Sequence, residues 1–109
     1  MPTVGLFGRG LVACQWTGDG PETVVLVNGS VFNYHQWDGT ALPILQNGLD
    51  GRCRFLQYDY VGIGGSSAKT APFRMFDLAD ELQDLLDELS VGDVHLLGIS
   101  QGSLVGQAF

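Results

Sequence analysis

Apolar positions between Met75 and Leu89 recur at helical spacing: Leu78, Ala79, Leu82, Leu85, Leu86 and Leu89 fall at i, i+1, i+4, i+7, i+8 and i+11. Asp77, Asp80, Glu81, Asp84, Asp87 and Glu88 lie between them, which predicts a helix whose other face is acid-rich and solvated. The pattern stops at Ser90, and Gly92 stands where it would break the helix ahead of a strand that begins at Val94. Elsewhere the apolar runs are short. Thr23 to Val27 is continuously apolar and β-branched, as in a strand covered on both faces, and Arg54 to Tyr58 predicts another strand before a loop from Asp59 to Pro72. Val4 to Phe7 and Leu11 to Trp16 flank Gly8-Arg9-Gly10, which predicts an antiparallel hairpin, followed by a loop from Thr17 to Pro21. A weaker helical segment falls between Gln36 and Gln46, with Trp37, Leu42, Ile44 and Leu45 as its expected buried residues. After residue 22 strands and helices alternate, which implies right-handed crossovers and a parallel sheet, an α/β architecture.

The last predicted strand runs directly into Gly98-Ile99-Ser100-Gln101-Gly102. In a G-x-S-x-G arrangement a strand turns sharply into a helix, and the turn lifts the serine oxygen clear of the sheet edge, where a substrate carbonyl can approach. Small residues at both ends let the turn close. With 16 glycines in the chain the five-residue pattern alone carries little weight. Its setting gives it meaning: a helix, a short turn, a buried strand, then the motif.

Composition narrows the possibilities. At 109 residues with 45% hydrophobic content, the chain is globular in character and fits one domain or part of one. The net charge is −7, and the five basic residues Arg9, Arg52, Arg54, Lys69 and Arg74 form no cluster, which argues against binding nucleic acid or an anionic membrane. No apolar run is long enough to span a bilayer, and Met1-Pro2-Thr3-Val4-Gly5 does not read as a signal peptide, so a cytoplasmic location is expected. Cys14 and Cys53 are too few and too far apart for a metal site or redox pair and are expected to be reduced structural residues; no metal or cofactor is expected.

In this order the pieces resemble the α/β-hydrolase fold family, from its N-terminal strands through the nucleophile elbow, over nearly the whole chain. Val24-Val25-Leu26-Val27-Asn28-Gly29-Ser30 is similar to the family's third strand and His-Gly-type oxyanion loop. Tyr58-Asp59-Tyr60-Val61-Gly62-Ile63-Gly64-Gly65-Ser66 is similar to its Asp-x-x-Gly-x-Gly-x-Ser loop after the fourth strand, and Gly98 to Gly102 to its elbow. The resemblance implies a serine hydrolase acting on a small-molecule ester or thioester, with Ser100 attacking the acyl carbonyl to form an acyl-enzyme. It places one oxyanion donor on the backbone N–H of Gln101 and the other on that of Ser30, with Val31 the alternative, and it sets Asn28, Gly29 and Val31 beside the substrate.

The chain departs from the family pattern at Asn28, where His is common, and at Val61, where Arg is frequent. Leu26-Val27-Asn28-Gly29 resembles one branch containing acyltransferases that join hydroxyacyl groups, such as those supplying rhamnolipid precursors. Acyl transfer to an alcohol is therefore an alternative to hydrolysis, and a non-catalytic ligand-binding or interaction module is a second.

The family's chain order is Ser, then Asp or Glu, then His, which implies a triad acid and base beyond Phe109. His95, five residues before Ser100, is expected to be a core or hydrogen-bonded residue, His35 a solvated or capping one, and Asp59 a turn residue. Phe32, Tyr34 and Trp37 flank the oxyanion loop, where they would line a pocket or, for Trp37, pack under the first helix. By the family's strand order, Val94 to Ile99 is an edge strand, open and apolar. Residues 1–109 are therefore expected to form the N-terminal portion of a single α/β-hydrolase domain, completed by a C-terminal segment or second chain.

Overall fold

A computed structural model describes residues 3–6, 10–29, 34–39, 41–49, 51–60 and 75–109. Phe7 and the Gly8-Arg9 turn, Ser30, Val31 and Phe32, and residues 61–72 of the loop after the fourth predicted strand lie outside them, as does the side chain of Tyr34.

Among the described residues five strands form one mixed sheet: β1 (Thr3–Leu6), β2 (Gly10–Thr17), β3 (Glu22–Val27), β4 (Cys53–Tyr58) and β5 (His95–Gly98), in the spatial order β1-β2-β4-β3-β5. The hairpin β1–β2 is antiparallel, β2 lies antiparallel to β4, and β3 is parallel to both β4 and β5. The described residues also form the helices α1 (Ala41–Gly48), α2 (Met75–Glu88) and α3 (Gln101–Ala108), with a 3-10 turn at Tyr34–Trp37. This is the expected α/β arrangement: an antiparallel hairpin, then parallel strands joined through helices.

Because successive strand residues face opposite ways, the continuous apolar run of β3 serves two cores. Val25 and Val27, with Leu56 and Tyr58 of β4, pack against Leu78, Leu82, Leu85 and Leu86 of α2 and Val105 of α3. Val24, Leu26 and Phe55 pack on the other face with Trp37 and Leu42. Cys14 is buried in the first core and Cys53 is partly buried beside the second, both as free thiols. Burial pushes the Cys14 thiol above the ordinary cysteine range.

Four expectations need correction. Glu81, assigned to the solvated face of α2, is buried. It stands three residues after Leu78 and four before Leu85, so helical geometry places it within the apolar stripe. Ile44, expected in the core, is 75% exposed; α1 turns Leu42, Leu45 and Ala41 inward, and a residue two after Leu42 points away. The left-handed residue that ends α2 is Ser90, at φ 57°, rather than Gly92, and the Val91 N–H donates to Leu86 O at 2.9 Å as the chain leaves the helix.

The fourth correction concerns β5, expected to be a buried strand. Its residues alternate between exposed and half-buried, because among the described residues it is paired on one side, by β3. Its place at the sheet edge is as expected.

Candidate active site

Three parallel strands, β3, β4 and β5, end at the same edge of the sheet, and the residues that follow them form the site. After β5 the ladder continues for one bond, from the Ile99 N–H to Val27 O at 3.2 Å, and the chain then reverses into α3. The turn is closed by bonds from the Gly102 N–H to Ile99 O (2.8 Å) and from the Ser103 N–H to Ser100 O (3.0 Å), with the Ser103 hydroxyl donating to the same carbonyl at 2.8 Å.

At the apex Ser100 has φ 54° and ψ −118°, a conformation that a residue with a side chain adopts only when its surroundings force it. Its hydroxyl makes no capping bond to α3, and the residue is exposed. Ser100 therefore stands exposed at the head of a helix.

The two glycines of the motif are required by contact rather than by dihedral angle. A Cβ on Gly102 would overlap the carbonyl of Val27, and one on Gly98 would overlap the backbone of Gly102. Strand β3, strand β5 and helix α3 thus meet without side chains between them, which makes the sharp turn possible.

Beside the elbow, Asn28 follows β3 and has no exposed surface. Its carboxamide donates to Tyr58 O at 2.6 Å and accepts from the indole N–H of Trp37 at 2.8 Å, while its backbone carbonyl accepts from the Tyr60 hydroxyl at 2.6 Å. The next residue, Gly29, donates its N–H to Gln36 Oε1 at 3.0 Å. The Asn28 carboxamide, expected beside the substrate, is thus buried and bonded within the protein, while Ser30 and Val31 lie outside the described residues. Trp37 is a core residue, as one of its two expected placements had it.

Tyr60, two residues after β4, is buried. Its ring meets that of Tyr58 edge to face, with centroids 5.7 Å apart and planes at 81°. Burial lifts the Tyr60 hydroxyl above the ordinary tyrosine range, a hydrogen bond from the Gln101 side chain works in the opposite direction, and the charge of Glu81 adds to the rise. Pattern reading missed Tyr60, although its position next to Asp59 in the Asp-x-x-Gly loop was a signal: a tyrosine at a strand end that packs inward needs a partner for its hydroxyl. Asp59 is also buried, and its N–H donates to Ala13 O at 2.9 Å.

The two histidines lie apart from this cluster. His35 Nδ1 is 2.7 Å from Asp38 Oδ2, in an exposed pair on the 3-10 turn. Partial burial works against the Asp38 carboxylate, but hydrogen bonds from Gln57 and His35, and the charge of His35, hold it below the usual range. His95 is exposed rather than in the core, and its Nε2 lies 3.2 Å from Glu22 Oε2. It stands in register with Val24 at the start of β5, so at about 3.3 Å per strand residue it is on the order of 15 Å from Ser100, toward the opposite sheet edge.

Comparison with known proteins agrees with this geometry. Residues 22–109 match the family model described as alpha/beta hydrolase fold. RutD of Pantoea ananatis, named as a carbamate hydrolase, is 37% identical over 86 residues, covering 78% of this chain and 30% of that protein. The poly(3-hydroxyalkanoate) depolymerase of Ectopseudomonas oleovorans is 36% identical over 61 residues, 56% of this chain and 22% of the depolymerase. Among solved structures, a hydrolase from Pseudomonas aeruginosa PA01 superposes with a TM-score of 0.85 at 31% identity, over 97% of this chain and 38% of that one. The enol-lactonase of Burkholderia xenovorans LB400 shares the fold, with a TM-score of 0.86 at 24% identity, over 98% of this chain and 40% of its own. The chain thus spans less than half the length of each. With its sheet order, its elbow and 88 matched residues in agreement, the chain belongs to the α/β-hydrolase fold family.

Proposed function

We propose that this chain carries the nucleophile and oxyanion hole of a serine hydrolase that cleaves small-molecule acyl esters or thioesters through an acyl-enzyme on Ser100. The observation that carries the reading is the backbone of Ser100, at φ 54° and ψ −118° on a turn whose flanking glycines meet bare backbone. Such a conformation costs of order 1–3 kcal/mol and persists where function or packing holds it. Packing alone would be served by an ordinary turn. A strained apex that carries an exposed serine at the head of a helix suits nucleophilic attack.

In the proposed reaction the Ser100 oxygen adds to the acyl carbon, and its proton passes to a base. The tetrahedral intermediate then expels the alcohol or thiol, and water repeats the sequence to release the acid. Negative charge on the carbonyl oxygen is met by the Gln101 N–H at the start of α3 and by the N–H of Ser30, or of Val31, in the loop that Asn28 and Gly29 begin. The positive end of α3 adds to the same field.

His95 is too distant to serve as the base, and the family's chain order puts the acid and the base after the nucleophile, whereas His35 precedes it. The triad acid and base are therefore assigned to a further segment of the fold, with residues 1–109 as the N-terminal portion of the domain. The relatives' names support an acyl substrate, since a carbamate and a polyhydroxyalkanoate both offer a carbonyl carbon bonded to oxygen.

The test is intact-mass and peptide analysis of the full chain after exposure to a fluorophosphonate, which reacts with activated serines. One adduct is expected, on Ser100, absent from Ser100→Ala. A folded protein that remains unlabelled overturns the reading.

A further inference from the structure

We infer that Ser103 is a positioning residue for the nucleophile elbow: by bonding twice to the Ser100 carbonyl it fixes the peptide plane between Ser100 and Gln101, and with it the direction of the Gln101 N–H. The inference rests on the serine-hydrolase reading and deepens it.

The amide that joins Ser100 to Gln101 is one rigid trans plane, in which the carbonyl oxygen and the N–H point in opposite directions. Whatever holds the oxygen therefore aims the hydrogen. The Ser100 oxygen is held by both donors of one residue, the Ser103 N–H at 3.0 Å and the Ser103 hydroxyl at 2.8 Å. A carbonyl oxygen has two lone pairs, so the two bonds can form together. They draw the oxygen along α3, which turns the Gln101 N–H out of the head of the helix, where the proposed reaction needs a donor.

At φ 54° and ψ −118° Ser100 lies outside the ordinary backbone wells, so its own preference does not hold this plane in place. A rotation about ψ would swing the Gln101 N–H away while leaving the serine at the apex. Any residue except proline supplies the N–H of the brace; the hydroxyl is what a serine at 103 adds.

The brace also spares the Ser100 side chain a competing bond. A serine at a helix N-cap ordinarily accepts from the N–H of the second or third helical residue, here Gly102 and Ser103. Those N–H groups are taken up by Ile99 O at 2.8 Å and Ser100 O at 3.0 Å, and the Ser100 side chain makes no capping bond.

The experiment compares Ser103→Ala and Ser103→Thr with the parent full chain in hydrolysis of p-nitrophenyl butyrate. Ser103→Ala removes the hydroxyl and keeps the N–H. Ser103→Thr keeps both, since a threonine in a helix also bonds to a carbonyl of the preceding turn. For Ser103→Ala, kcat per active site, counted by end-point fluorophosphonate labelling, is expected to fall about 3- to 10-fold, the worth of one hydrogen bond, with KM changed less than about twofold. Ser103→Thr should return the rate to within about twofold of the parent. Thermal midpoints should not follow the rates: Ser103 is exposed, and alanine is the better helix former and threonine the poorer. The residual dipolar coupling of the Gln101 N–H, which reports its direction without any turnover, should change in Ser103→Ala and match the parent in Ser103→Thr.

Parental kcat per active site in Ser103→Ala, an equal loss in both variants, or a loss that tracks a lower midpoint would each overturn the proposal. Ser100→Ala separates the two inferences. If it retains turnover, or if the parent has none, the serine reading fails and the Gln101 coupling alone decides what Ser103 holds. If it is inactive while Ser103→Ala matches the parent, only the role of Ser103 falls.

Discussion

A glycine four residues from another is a weak signal on paper, and here each one meets backbone. Gly102 matters most, because its missing Cβ is what allows α3 to sit against the end of β3, at the carbonyls of Val27 and Asn28. Gly102→Ala is therefore expected to force β3 and α3 apart, lowering stability by about 1–3 kcal/mol, the usual range for overpacking, and to move Ser100 off its apex. Chemical denaturation measures the first effect, and the rate of fluorophosphonate labelling in the protein that remains folded measures the second. Normal labelling and an unchanged midpoint would mean that the turn is not held by this contact. Ser100, Gln101 and the flanking glycines were legible in the sequence because the motif encodes a local backbone event. The brace around Asn28 was not. Its partners, Trp37 on the 3-10 turn and Tyr58 and Tyr60 at the end of β4, come from two other segments, and nothing in the apolar pattern tells that an asparagine after a buried strand will turn its carboxamide inward.

Elements were legible in proportion to how completely one physical cause governs them. The run Thr23 to Val27 had to be a two-sided strand because no polar residue interrupts it, and the leucine spacing in α2 fixed its buried face. Where two causes compete, pattern reading slipped. Glu81 falls inside that buried face, and only the neighbouring elements decide whether a carboxylate there is covered. At the end of α2, glycine preference pointed to Gly92, whereas the helix geometry puts Ser90 in the left-handed region at φ 57°. Ser90→Gly is therefore expected to leave stability unchanged or raise it by up to about 1 kcal/mol, since relief of roughly 1–2 kcal/mol of left-handed strain outweighs glycine's added entropy in the unfolded chain. Gly92→Ala is expected to have little effect, as its Cβ would meet open space. Calorimetric midpoints of the two variants check both, and destabilisation by Ser90→Gly would show that the serine side chain contributes more than its strain removes.

The whole molecule is asymmetric. Its β1 side ends in a short hairpin strand, while its β5 side presents an open edge between Leu97, 38% exposed, and Ile99, 47% exposed. Leu104 and Phe109 of the adjoining helical segment are exposed beside it, and a shallow groove runs between Leu96 and Leu97 of β5 and Ser103 and Gly106 of α3. Unpaired N–H and C=O groups flanked by apolar side chains recruit another strand. This edge position followed from strand order, but the exposure did not, because a run such as Val94-His95-Leu96-Leu97 reads as a covered strand whether or not a neighbour is at hand. The relatives are more than twice as long, and under the proposed function the triad acid and base belong to a further segment that would cover this edge. A polypeptide of residues 1–109 expressed alone should then associate through β5. Its sedimentation coefficient is expected to rise with concentration, and Leu97→Lys, which puts a charge on the edge without touching the elbow, should return it toward the monomer. In a longer chain completed as the proposed function has it, the same lysine would instead meet the covering segment and lower the thermal midpoint. A residue 1–109 polypeptide that is monomeric at all concentrations, together with a longer chain indifferent to Leu97→Lys, would show that this edge needs no cover and would send the search for the base to another face of the sheet.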